Sequence, residues 1–174
     1  APSSSLLWPL LLAPFGDWAA LELVPFALNA LLCLATAALF ARIAARALGA
    51  SDGVHLGALG CALALVALSN CVGLAYTGME HSLQLWLAVA SLWGTWRTLE
   101  EGRAPAWLWA LLCAAPWVRY ESLGLCVPLW IVLARAGRLR SVLLCAAAAL
   151  LPLAAFSGFL YAKDLTPLPM SMLV

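Results

Sequence analysis

LWALLCAAPWV (residues 108–118), RYE (119–121) and SLGLCVPLWIVL (122–133) follow one another without a gap. Two apolar runs flank a charged tip, the pattern of a helical hairpin in a membrane. Counted generously, each arm has about 15 residues, which at ~1.5 Å per residue gives roughly 22 Å of helix. That is well under the ~30 Å of hydrocarbon in a bilayer. The tip is therefore expected below the outer surface, inside the protein. A charge at that depth costs several kcal/mol unless it is paired or faces a wet cavity. Arg119, Tyr120 and Glu121 thereby become the leading site candidates.

The rest of the chain fits such a hairpin. Of 174 residues, 66% are hydrophobic and 10% charged, and the mean hydropathy is +1.00. A water-soluble domain of this size could not cover its surface with so few polar groups. Long apolar stretches broken by short charged links predict an all-α fold, a polytopic transmembrane helical bundle. About six spans are expected, near 19–47, 54–75, 80–98, 104–118, 121–135 and 139–161. Pro25 is expected to kink the first. Residues 1–18 read as an external segment holding one short interfacial or re-entrant helix, and 162–174 as an external loop. All of 1–174 forms one transmembrane domain, expected to be a fragment of a longer protein. Six cysteines, at 33, 61, 71, 113, 126 and 145, lie singly in apolar helices with no C-x-x-C pair. They read as small packing residues rather than as a disulfide or metal framework.

Loop charges set the orientation. Arg42, Arg46, Arg97, Arg103, Arg135, Arg138 and Arg140 fall on one side, and Arg119 and Lys163 on the other. By the positive-inside rule the arginine-rich side is cytoplasmic. The external side then holds Asp17, Glu22, Glu80, Glu121 and Asp164, together with Tyr76, Tyr120 and Tyr161. Three external polar islands result: Tyr76–His81, Arg119–Glu121 and Tyr161–Asp164. Trp8, Trp18 and Trp117 read as part of the outer aromatic belt.

Each island has a chemical reading and a bland one. The planar fork of Arg119 suits bidentate grip of a phosphate or pyrophosphate; it can equally form an ion pair with Glu121 or Glu80 that staples two helices. Glu80 opens a span, where the helix dipole favours a carboxylate, and with no further role it is simply a helix-start acid. His81 is a candidate proton carrier or ligand, or a solvated histidine. Lys163 and Asp164 form an ordinary loop pair. No P-loop, G-x-G-x-x-G, G-x-S-x-G or H-E-x-x-H motif is present, and no basic patch with interleaved aromatics suggests nucleic acid.

The ordered series Ser4-Ser5-Leu6-Leu7-Trp8, Thr77-Gly78-Met79-Glu80, Arg119-Tyr120-Glu121 and Lys163-Asp164-Leu165-Thr166-Pro167 resembles bacterial membrane glycosyltransferases of the GT-C superfamily, close to the mycobacterial terminal arabinofuranosyltransferases. Thr77, Gly78, Met79 and Glu80 match one family motif, with His81 in place of Thr. Arg119 and Glu121 match another, with Ser122 in place of Gly. Pro167 or Pro169 stands for the proline of a last motif, but no Asn follows. The resemblance implies transfer of a sugar from a polyprenyl-phosphate donor to a glycan or lipid acceptor, outside the bacterial cytoplasmic membrane. It implies Arg119, Glu80, Glu121, His81, Tyr120 and Lys163 as substrate-binding residues. The family's catalytic Asp is expected upstream of Ala1. No cofactor is called for, and a divalent metal is neither required nor excluded. The alternatives are a transporter or lipid flippase, in which the same charges bind a cargo, and a structural membrane subunit, in which they only pair helices.

Overall fold

The computed structural model describes residues 7–15, 23–49, 56–76 and 80–163, which are helices and short turns with no strand among them. In chain order these are α1 (Leu7–Leu12), running into a 3-10 turn at Ala13–Phe15, then α2 (Leu23–Ala47), α3 (Leu56–Leu68) and α4 (Cys71–Tyr76). After them come α5 (His81–Glu101), α6 (Ala106–Val118), a 3-10 turn at Tyr120–Ser122, α7 (Leu123–Leu133) and α8 (Leu139–Tyr161). The chain divides into two compact units, one of Leu11–Trp93, the other of Gly94 onward with the first helical residues through Leu10.

In the first unit, α3 and α4 lie along α2. Phe40 of α2 shares a core with Ala62 of α3 and Val89 of α5, flanked by Ile43, Val66 and Leu85. Arg46, one turn beyond this core, rests its guanidinium over the Trp93 ring at 5.6 Å, a cation–π contact that lets a charge sit on an apolar helix end. Pro25 is the third residue of α2. A first-turn proline gives up an N–H that has no helical partner, so it opens the helix instead of kinking its middle.

The expected span 54–75 is two helices. Asn70 adopts a left-handed conformation, φ 51°, and the Ser69 hydroxyl donates to the Leu65 carbonyl at 2.6 Å. Asn tolerates this conformation better than most residues with a side chain, because it can bond its own backbone locally. At 13 residues, α3 is roughly 20 Å long.

The second unit is built on α6, α7 and α8. Trp109 and Cys113 of α6 meet Cys145 of α8, and Trp117 meets Ala149. Both helices therefore ascend together, with α7 descending between their ends. Leu108, Leu112, Val118, Cys126 and Leu133 are completely shielded in this core. The α6 helix also approaches α5 closely at Gly94, where an added Cβ would stand 2.7 Å from the Trp107 ring and 2.9 Å from Leu108. At the opposite end from Arg119, Arg138 donates to the Gly102 carbonyl, tying the α5–α6 turn to the α7–α8 turn.

Interior prolines shape this unit. Pro116 has no N–H for the carbonyl four residues back, that of Leu112, and the Cys126 thiol of α7 donates to it at 3.8 Å. Pro152 likewise leaves the Ala148 carbonyl of α8 without its helical donor. One residue on, the Trp117 indole N–H donates to the Ala149 carbonyl at 3.0 Å. In lipid a substitute donor such as the Cys126 thiol is what makes a proline tolerable inside a helix.

Among the described residues, two helical runs are long and apolar enough to cross a membrane, Leu23–Ala47 and Tyr120–Tyr161. The second is bent into α7 and α8 where Gly137, φ 80°, leaves the helical region. Positive φ is open to glycine without the steric cost a Cβ brings. α3 and α6, at 13 residues each, fall short of a full crossing by themselves.

Candidate functional site

The turn between α6 and α7 is made by a single extended residue. Arg119 has φ −152° and ψ 137°, while its N–H returns to the Ala115 carbonyl and its own carbonyl accepts from Ser122 N–H at 3.0 Å. The extended residue points its side chain back over the 3-10 turn. There Nη2 of Arg119 lies 3.1 Å from Oε1 of Glu121, and Nε lies 3.3 Å from Oε2. This is a fork-to-fork pair closed within three residues. It does not join two helices, so the reading of Arg119 and Glu121 as a staple between helices finds no support in this contact. The Arg119 side chain is 16% exposed and that of Glu121 42%, so the pair has one sheltered and one open side. Tyr120, between them, is half-buried.

The depth of this turn can be read from α8. Trp117 is level with Ala149, and α8 continues to Tyr161. Those further residues add about 18 Å of helix. Arg119, two residues beyond Trp117, thus lies about 15 Å of helix below the end of α8. Lys163 follows Tyr161, exposed, with its N–H on the Leu160 carbonyl, so the structure does not bring it to Arg119.

Beside the turn is an apolar cleft of about 230 Å³ lined by Leu7 and Leu10 of α1, Trp117 of α6 and Pro152 of α8. Sequence reading missed it. It placed Trp117 in an outer aromatic belt, whereas the indole faces α8. The available signal was the proline in α8, whose ring interrupts the helix beside the cleft.

The remaining candidates belong to the other unit. Glu80 is buried, 5% exposed, and its carbonyl accepts the N–H of Gln84 at 2.9 Å, starting α5. His81, the first residue of α5, is half-buried. Ser82 is also buried, and its hydroxyl finds no hydrogen-bond partner. Thr77, Gly78, Met79, Asp17, Asp164, Pro167 and Pro169 lie outside the described residues. The cysteines are all free thiols, but they are not scattered singly. Cys113 and Cys145 stand Sγ to Sγ at 3.2 Å. Among the described residues, no group of three or more His, Cys, Asp or Glu is placed to hold a metal ion.

Compared with protein-family models, with curated proteins and with solved structures, the chain matches none. What the described residues define is an all-helical fold with two runs of membrane-spanning length among them and an arginine turn beside an apolar cleft.

Proposed function

We propose that the chain is part of an integral membrane glycosyltransferase. It moves a sugar from a polyprenyl-phosphate donor to a glycan or lipid acceptor at the external face of a bacterial cytoplasmic membrane. Six crossings carry it, with α3–α4 and the α6–α7 hairpin accounting for the short ones. One observation carries the reading: a guanidinium, sheltered on one side, lies about 15 Å of helix below the end of α8 and next to a cleft with apolar walls. A lipid phosphate needs both, a fixed cation for the departing anion and a dry groove for its chain. In this reading Arg119 holds the donor phosphate, and Glu121 orients the fork and yields one edge of it to the ligand. The pair's 3.1 and 3.3 Å separations are longer than a tight charge-assisted bond of ~2.7–2.9 Å, which favours exchange for a doubly charged phosphate. Tyr120 lines the acceptor side, and Lys163 meets the water-exposed product.

The test is transfer from radiolabelled polyprenyl-phosphate sugar by membranes carrying the full-length protein. Arg119→Ala is expected to lose roughly 10²–10³-fold in rate, the cost of removing one transition-state donor, with insertion unchanged. Arg119→Lys keeps the charge without the fork and falls between. Undiminished transfer by Arg119→Ala would sink the phosphate assignment.

A further inference from the structure

At the end of the second unit opposite Arg119, the α5–α6 turn carries Arg103 and the α7–α8 turn carries Arg135 and Arg138, with Arg140 in the first turn of α8. Arg138 is committed to the Gly102 carbonyl, and this bond holds the two turns side by side. Gly102, φ 66°, and Gly137, φ 80°, let both turns fold back without side chains of their own. Arg103, Arg135 and Arg140 are left exposed. The acids nearby are Glu100 and Glu101, and Glu101 is bound to Arg97 at 2.8 Å. Five arginines thus face two glutamates. Directly along α8 from the basic turn are Leu139, Leu143 and Leu144, all 57–65% exposed, and Trp107 of α6 is 40% exposed. Cationic and lipophilic surfaces therefore adjoin in the order that a phospholipid presents headgroup and acyl chain.

We infer that these paired turns form a binding site for an anionic phospholipid, with Arg103, Arg135 and Arg140 on the phosphate headgroup and the Leu139–Leu144 face on the acyl chains. Charge complementarity selects the anionic lipid. The adjoining leucines select a lipid over a free phosphate, which would have no use for them. Arg138 is a positioning residue: it sets the distance between the two basic turns. The inference rests on the chain lying in a membrane, not on the transferase reading. It is read without donor or transfer, so failure of one is separable from failure of the other.

The test uses the full-length protein in a neutral detergent, titrated with phosphatidylglycerol or phosphatidylcholine, with retained lipid counted by native mass spectrometry. Phosphatidylglycerol is expected to bind at least about tenfold tighter, and R103Q/R135Q/R140Q to lose on the order of a hundredfold of that affinity, roughly fivefold per arginine near an anionic group. R103K/R135K/R140K keeps the charge and keeps the preference. If the triple glutamine variant fails to insert, R135Q and R140Q singly carry the test, each losing about fivefold. Equal retention of the two lipids overturns the inference, as does unchanged affinity in the glutamine variants. Displacement of the lipid by an equal molar excess of inorganic phosphate assigns the site to the free anion and overturns it too.

Discussion

Replacing Trp117 by Phe tests how much the indole's bond to α8 contributes to the packing of α6 on α8. The change removes one hydrogen bond, Nε1–H to the Ala149 carbonyl at 3.0 Å, and trims the ring that walls the cleft. Interhelical bonds in membranes average ~0.6 and reach ~1.7 kcal/mol. The Ala149 carbonyl keeps the Leu153 N–H of α8 as its helical partner, so this bond belongs near the average, about 0.6 kcal/mol. The smaller ring loses roughly 40 Å² of apolar contact, about 1 kcal/mol. Trp117→Phe should therefore destabilise by about 1.6 kcal/mol in reversible unfolding by mixed micelles, followed by circular dichroism. In a Pro152→Ala background the regained N–H serves the Ala148 carbonyl, one residue before the indole's partner. There the same change should cost about the same, with a coupling within ~0.5 kcal/mol of zero. A coupling of about 1 kcal/mol or more would refute the reasoning and tie the indole to the proline's own carbonyl.

Two further substitutions probe the packing that frames the site. Gly94→Ala pushes a methyl group into Trp107 and Leu108 and should cost about 1–3 kcal/mol in the same unfolding assay. Gly124→Ala, with open space around it, should be neutral or gain up to about 1 kcal/mol of helix propensity. Ser82→Ala removes a buried hydroxyl without a partner and should stabilise by about 1 kcal/mol. A loss of transfer activity at unchanged stability would instead mark Ser82 as a ligand contact.

The helical class was legible because it depends on sums: apolar runs of a given length and the arginines between them. The shortness of the two arms beside Arg119 was legible for the same reason, and α6 and α7 are 13 and 11 residues long. Features that depend on one neighbour were not. Nothing in Leu65–Cys71 announces that Asn70 turns left-handed, because apolar periodicity continues on both sides of it. The partner of Arg119 was open between Glu80 and Glu121, and only the extended φ of Arg119 itself brings the closer acid under the fork. Cys113 and Cys145 are 32 positions apart and look alike as isolated small residues; the parallel course of α6 and α8 makes them a pair. The cleft needs α1 as its third wall, and six residues of α1 carry no periodicity that would say where they dock.

Pro116 also acts as a registration mark. Between apolar helices in lipid, sliding by one turn exchanges leucine for leucine, and greasy packing alone discriminates poorly among the alternatives. A carbonyl stripped of its helical donor discriminates sharply, because only one height along the neighbour offers a replacement. The Cys126 thiol meets Leu112 at one height, and the Trp117 indole meets Ala149 at another. Together they fix how far α6 stands relative to both α7 and α8. Sequence drift in this chain should then treat proline and donor as a unit: a lineage that loses Pro116 is released from needing a donor at position 126, while one that keeps it is not.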